Sequence, residues 1–327
     1  MAEHICSCSY LSDKDWENRI ERIDKAARNC ALCPRLCGVN RFENRKGYCG
    51  APGELVISSI FPHHGEEPPI SGTRGSGTIF FSHCPLRCCF CQNYQISQEN
   101  EGSVYSINDL AKKMIHLQEL GCHNINLVTA THFLPWIVRA LRIATTDGLR
   151  IPIVYNCSGY ESPSVISMLD GIIDIYLPDM KYGDKEAARK YSHAEDYPQV
   201  NQNAIKEMFR QTGPLKVDSD GIAWRGLCIR HLVLPGNTLS SENVLSFLKT
   251  SFDPIDITVS LMAQYRPLYK TSKFPEIDTT LNPDEYERTK EQFIEAGFEG
   301  FYQQIEKIDT KFIINFKEHK EERLTGE

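Results

Sequence analysis

Short apolar runs alternate with longer amphipathic stretches over most of the chain. Thr78–Ser82, Asn124–Ala130, Pro152–Asn156, Ile172–Leu177, Leu227–Leu234 and Ile257–Met262 each predict a strand. Helical spacing fills the intervals. Ser106 is placed to cap a helix with Leu110, Met114, Leu117 and Leu120 on one face, stopped by Gly121. Further helices are expected over Leu134–Thr145, Ser164–Leu169, Lys185–Tyr191, Pro198–Gln211 and Ser241–Lys249. Asn282 and Pro283 open a charged helix that ends at Gly297, and Lys311–Phe316 reads as a last strand. Strands and helices in strict alternation imply a parallel sheet. Six such units, with polar residues at the strand ends, predict an α/β fold of the partial (β/α)6 TIM-barrel type. In such folds the reactive groups sit at the C-terminal rim of the strands.

Upstream the pattern changes. Asp13–Asn29 predicts an amphipathic helix through Trp16, Ile20, Ile23 and Ala27, and Glu54–Phe61 alternates as a strand. Between them lies a cysteine-rich stretch. This divides the chain into an N-terminal helix and cysteine-rich region (1–72), the barrel (73–270) and a C-terminal helical and strand extension (271–327). His63-His64-Gly-Glu66-Glu67-Pro-Pro is turn-rich and reads as a solvated or substrate-facing loop.

Composition narrows the class. The 327 residues are 41% hydrophobic, ample for a core, and the formal net charge of -7 argues against a nucleic-acid partner. No apolar stretch approaches the length of a membrane span, and no basic segment followed by an apolar run marks a secretory signal. The 13 cysteines are clustered and odd in number, which points to metal or clusters in a reducing cytoplasm.

The chemistry concentrates directly after the first barrel strand. Cys84, Cys88 and Cys91 stand at C-x3-C-x2-C, with Cys89 as a bystander. Three close thiolates can hold three corners of a [4Fe–4S] cube and leave the fourth iron open to a ligand that is not protein. A zinc knuckle or a ferredoxin-type site is the plainer alternative. The spacing, with Phe90 before the last cysteine, resembles the radical S-adenosylmethionine superfamily. That resemblance implies that the open iron binds the amino and carboxylate groups of S-adenosylmethionine, which the reduced cluster cleaves to a 5′-deoxyadenosyl radical. A second set, Cys30, Cys33, Cys37 and Cys49, carries Gly38, Gly47 and Gly50 around it and could make a four-ligand site. Tetrahedral sulfur suits zinc and a second iron–sulfur cluster alike.

The other strand ends supply candidate cofactor contacts. Many members of the superfamily carry Gly-Gly-Glu after the second strand; this chain has Thr129, Ala130, Thr131 and His132, leaving backbone carbonyls and the Thr131 hydroxyl. Asn156 and Ser158 suit ribose or carboxylate hydrogen bonds. Asp179 and Lys181 point to one side of a strand extension, where Lys181 can neutralise a carboxylate. Arg230 sits in an apolar strand and needs an anionic partner, a cofactor carboxylate or Asp179. Gln264 is placed to line an adenosyl pocket.

Cys33-Pro-Arg, Cys37-Gly-Val-Asn-Arg, Cys91-Gln-Asn, Asp179-Met-Lys and Arg230-His-Leu-Val-Leu-Pro-Gly together resemble the pyruvate formate-lyase-activating-enzyme-like subgroup. The resemblance implies that Cys84, Cys88 and Cys91 ligate the cluster. It also implies that Phe90 to Gln92 and Asp179, Met180 and Lys181 contact the cofactor. Activating enzymes of that branch take hydrogen from a glycine of a partner enzyme, so the implied partners are a glycyl radical enzyme or peptide and a reductant such as flavodoxin or ferredoxin. A radical enzyme acting on a small molecule or RNA, and a non-catalytic iron–sulfur or zinc protein, are the competing expectations.

Overall fold

The computed structural model describes residues 4–305, together with Ile314 and Phe316. An α-helix, α1 (Asp13–Arg28), leads the fold, closed at its start by a reciprocal Ser12–Asp15 capping box and burying Trp16, Ile23 and Ala27. The cysteine-rich stretch follows and feeds β1 (Leu55–His63), a short helix α2 (Pro68–Ser71) and β2 (Ser76–Phe81). After β2 come the cluster loop, α3 (Tyr94–Ser97), β3 (Ser103–Tyr105) and α4 (Ile107–Glu119). The chain then repeats strand and helix: β4 (Ile125–Val128), α5 (Leu134–Thr146), β5 (Ile153–Cys157), α6 (Pro163–Ile166) and β6 (Ile175–Pro178). Two helices, α7 (Lys185–Ser192) and α8 (Tyr197–Thr212), precede β7 (Lys216–Val217) and β8 (Ala223–Leu232). The last elements are α9 (Thr238–Ser251), β9 (Thr258–Met262), α10 (Pro283–Glu295) and β10 (Glu299–Tyr302).

The strands form one sheet in the order β10-β9-β8-β6-β5-β4-β2-β1-β3, with β7 paired to β8 off this path. From β2 through β10 the neighbours are parallel; β1 and β3 add an antiparallel edge. This is the partial barrel expected from the alternation. The parallel strands are covered on both faces, so β2, β4, β5 and β6 are buried at every position. β10 was not legible, because only Phe301 and Tyr302 of its four residues are apolar and none of the four is fully buried, yet it pairs in register with β9.

Several expectations change in detail. Ser106 caps α4 through Asp109, but Leu120 lies past the end of that helix and is exposed. Cys6 and Cys8 are fully buried, with sulfurs 3.3 Å apart. The last strand expected over Lys311–Phe316 lies outside the described residues except for Ile314 and Phe316. One continuous apolar core takes in Trp16 and Ile23 of α1, Ile137 and Leu141 of α5 and Ile229 of β8, so the N-terminal helix is packed into the barrel's own core.

Candidate functional site

A cavity of ≈ 490 Å³ opens at the C-terminal ends of the parallel strands. That volume falls in the range of small-molecule and cofactor pockets. The loop after β2 delivers Cys84, Cys88 and Cys91 to it. Cys88 is buried, and the three thiols lie close enough to disturb one another electrostatically. Burial pushes the Cys84 thiol up to about 12 and the Cys91 thiol up to about 11, and the neighbouring thiols add to it. Such a set is costly as bare thiolates and suited to a positively charged iron centre. Backbone N–H of Leu86 points at Cys84 Sγ (3.4 Å), and Ser97 Oγ lies 3.2 Å from Cys91 Sγ. His83 and Arg87 adopt left-handed φ of 70° and 59°, which folds the loop tightly over the strand end. Cys89 turns the other way, packing beside Tyr191, and does not line the cavity.

Across the cavity stands an ion pair. Lys181 Nζ is 2.6 Å from Asp179 Oδ2, and both line the cavity. Burial opposes the charge on Lys181, but Asp179 and then Cys88 outweigh it and hold the ammonium above its ordinary pKa. The side chain between them goes to the other face: Met180 is buried in the core, with its carbonyl 2.6 Å from His231 Nδ1. Met180 therefore offers no side-chain contact to a ligand, the outcome that strand alternation demands.

The cavity floor is a buried charge cluster. Arg230 Nε donates to Glu67 Oε1 at 2.8 Å, its NH2 reaches Glu67 Oε2 at 2.6 Å and also Glu66, and its NH1 donates to Asn156 Oδ1 at 3.2 Å. Asn126 Nδ2 also donates to Glu66 Oε1, at 2.9 Å. Burial alone would push the Glu67 carboxyl up; the Arg230 charge and hydrogen bonds hold it below its ordinary value. The partner expected for Arg230 was a cofactor carboxylate or Asp179. The structure instead supplies the two glutamates of the turn-rich loop. An unpaired arginine in an apolar strand was the signal for them, since adjacent carboxylates stood free in the same sequence.

The remaining candidates divide. Phe90, Gln92, Asn156, Ser158 and Gln264 all line the cavity. Gln92 Nε2 donates to the Gln264 carbonyl at 2.7 Å, and Gln303 Nε2 donates to Gln264 Oε1 at 2.8 Å, so the rim is cross-tied. Thr131 is not brought to the cavity. Its hydroxyl donates to buried Glu161 at 2.8 Å and accepts from Tyr155 at 3.0 Å. Burial pushes the Glu161 carboxyl up to about 8. Thr129, left-handed at φ 58°, takes the place at the wall that Thr131 was expected to fill. His132 is a structural residue: its Nε2 donates to the Ser82 carbonyl at 2.7 Å, and burial pulls the ring down to about 3. Ser260 and Gln303 are further lining residues that no motif marked.

The second cysteine set is also gathered. Cys30 is electrostatically coupled to Cys37 and Cys49, and Cys33 to Cys30 and Cys49. Gly47 passes so close to Cys37 that a Cβ there would meet its Cβ and Sγ at 2.9 Å.

No helix among the described residues is long and apolar enough to cross a membrane. A family model described as the radical SAM superfamily matches residues 78–248. An uncharacterized protein of Methanocaldococcus jannaschii is 30% identical over 290 residues, covering 86% of this chain and 79% of its own. Among solved structures, methylornithine synthase (PylB) is similar at 15% identity and a TM-score of 0.46, over 90% of this chain and 77% of that one. HydG, a maturase of the [FeFe]-hydrogenase, is similar at 12% identity and a TM-score of 0.44, over 90% of this chain and 69% of that one. By the extent of the family match and of the archaeal relative, the chain belongs to the radical SAM superfamily, whose members carry a [4Fe–4S] cluster and use S-adenosylmethionine.

Proposed function

We propose that this protein cleaves S-adenosylmethionine reductively at a [4Fe–4S] cluster held by Cys84, Cys88 and Cys91, and takes a hydrogen atom from a substrate admitted to the same cavity. The observation that carries the reading is the meeting of these three cysteines with the Lys181–Asp179 pair in one cavity at the strand ends. A [4Fe–4S] cluster held by Cys84, Cys88 and Cys91 would supply the one electron needed for reductive C–S cleavage of the sulfonium and so for hydrogen abstraction from the substrate. The electron comes from a low-potential one-electron donor of the flavodoxin or ferredoxin class.

The chain's own residues bind and orient. Three thiolates leave one corner for a ligand, and the fourth nearby cavity cysteine, Cys157, is turned to Glu161. Lys181 meets a carboxylate in a buried setting, where a charge-assisted hydrogen bond contributes about 1.5–3 kcal/mol. Asp179 keeps that ammonium charged and in place. Gln92 and Gln264 set the rim, and Phe90 presents a ring fixed by Tyr182, Tyr191 and Tyr265. The buried Arg230, Glu66 and Glu67 keep the floor polar and rigid.

For the substrate we propose a glycine-bearing segment of a partner protein, as in activating enzymes. The motif resemblance from Cys33 to Gly236 supports this reading. Anaerobic reconstitution, dithionite reduction and assay for 5′-deoxyadenosine test the chemistry. Product from the native chain and none from a Cys84→Ala, Cys88→Ala, Cys91→Ala variant is expected; equal product from both overturns it. Anaerobic capture of partners tests the substrate. A partner that acquires a glycyl radical supports activation, and turnover of a metabolite by the isolated chain sinks it.

A further inference from the structure

Arg35, in the Cys33-Pro-Arg motif, does not line the cavity, yet it grips the loop that carries three cysteines there. Its Nε donates to the Pro85 carbonyl at 3.0 Å and its NH2 to the Leu86 carbonyl at 3.4 Å, both between Cys84 and Cys88. The same guanidinium donates to the Ser192 carbonyl at 2.8 Å and to the His193 carbonyl, at the end of α7. It also lies 3.9 Å from the centre of the Tyr48 ring, a cation–π contact. Arg87 of the cysteine loop returns a bond to the Tyr48 carbonyl at 3.1 Å. These bonds fix the guanidinium from several sides. All of the partners are neutral, so its charge acts on dipoles and not on a carboxylate.

The amide that Arg35 binds most closely also touches Cys84. The Pro85 carbonyl and the Leu86 N–H belong to one planar trans amide, so they point in opposite directions. The carbonyl faces the Arg35 cation at 3.0 Å, and the N–H faces Cys84 Sγ at 3.4 Å. A cation at the oxygen draws electron density toward itself and leaves the N–H more positive, which strengthens its bond to sulfur. The next amide repeats the arrangement more loosely. Its carbonyl is that of Leu86, held by Arg35, and its N–H is that of Arg87, which also bonds toward Cys84. Hydrogen bonds to the sulfurs help to set the potential of an iron–sulfur cluster, and such outer partners orient and tune the ligands.

We propose that Arg35 is a positioning residue that raises the midpoint potential of the cluster held by Cys84, Cys88 and Cys91, acting through the Pro85–Leu86 amide. The inference rests on the reading of those cysteines as cluster ligands. Reduction adds one negative charge to the cluster and its sulfurs. A stronger N–H donor at Cys84 Sγ therefore favours the reduced form and eases entry of the electron from the donor. The cysteine-rich N-terminal region, which supplies no residue before His63 to the cavity lining, thereby takes part in its redox chemistry.

The test is a potentiometric titration of the anaerobically reconstituted full chain, followed by electron paramagnetic resonance. The signal to follow is the one that the Cys84→Ala, Cys88→Ala, Cys91→Ala variant lacks. Arg35→Met removes charge and bonds; Arg35→Gln keeps a donor for the carbonyls without the charge. Both are expected to move the midpoint to more negative potential at unchanged iron content. A tenfold loss in the reduction equilibrium corresponds to about 59 mV for one electron, and a shift of that order is expected. Arg35→Lys should return most of it. Arg87→Met, which takes a cation from the same loop without touching either carbonyl, should shift the midpoint less. If Arg35→Met does not fill with iron, Arg35→Gln decides alone. A native midpoint in Arg35→Gln at full iron content, or an equal shift in Arg87→Met, overturns the role of Arg35 and leaves the cluster reading intact. A native chain without the signal overturns both.

Discussion

Arg230→Met removes the one cation from a buried cluster that keeps two carboxylates. The side chains of Arg230, Glu66 and Glu67 are 12%, 7% and 6% exposed, so solvent screens little of the loss. Breaking a buried pair from one side costs about 3–5 kcal/mol. For 327 residues the unfolding entropy near the midpoint is about 0.7 kcal/mol/K, so the variant should melt about 4–7 °C lower at pH 7.5. The pH dependence sharpens the test. In the native protein the Glu67 carboxyl is held below its ordinary value, so its contribution is present above the unfolded pKa and is lost as pH falls through the folded one. Without Arg230, burial outweighs the remaining Ser260 and backbone hydrogen bonds and lifts that carboxyl. The sign then reverses, and the variant loses stability as pH rises. The melting gap should therefore narrow on going from pH 7.5 to pH 5.5, by up to about 1.4 kcal/mol per pH unit for each proton taken up. Differential scanning fluorimetry of both proteins under anaerobic conditions reads the gap. A neutral triple variant, Glu66→Gln with Glu67→Gln and Arg230→Met, should recover much of the loss. A gap below 1 °C at pH 7.5, or one that widens toward pH 5.5, would refute the reasoning.

Three further outcomes are expected. Lys181→Ala should weaken S-adenosylmethionine binding by about 10- to 100-fold, the size of one buried charge-assisted bond, at unchanged iron content; equilibrium dialysis with an iron assay decides. Gly47→Ala places a Cβ 2.9 Å from the Cys37 Cβ and Sγ, so Cys37 must shift and the variant should melt at a lower temperature while still taking up reconstituted iron at Cys84, Cys88 and Cys91; an unchanged melting curve would count against it. Glu161 is an acid whose folded pKa is raised to about 8, so it takes stability away as pH rises from its unfolded value toward 8. Glu161→Gln lacks that slope, and melting curves from pH 5 to 8 should move in favour of the variant by about 1.4 kcal/mol per pH unit; parallel curves would disprove the assignment.

The barrel was legible because parallel strands buried on both faces advertise themselves as apolar runs, as Ile175–Pro178 does. Cys84, Cys88 and Cys91 were legible as a group because they lie close together in one loop, which brings all three to the cavity. Strand alternation put Lys181 and Asp179 on one side, where both line the cavity, and Met180 on the other, where its side chain joins the core. Thr131 failed for a different reason. One residue past a strand end, direction depends on the turn, and here left-handed Thr129 rotates the chain so that Thr131 meets Glu161. Glu66 and Glu67 were missed because their role is set by a residue 163 or 164 positions away in the chain, a separation no local pattern encodes. Arg35 was hidden likewise: its partners at Pro85 and Leu86 lie 50 and 51 positions along the chain.

Among the described residues the sheet runs from β10 to β3 without joining its two ends. A closed ring could widen only by breaking backbone hydrogen bonds. Here the rim near the open side is tied by side chains: Gln303 to Gln264, the Gln95 carboxamide to the Phe316 N–H, and the Phe316 ring against Phe80 at 5.2 Å. The mouth of the cavity is thus mechanically soft in one direction and stiff in the others, like a split collar. Its compliance resides in a handful of replaceable contacts, which makes the width of what it admits adjustable without disturbing the strands that carry the chemistry.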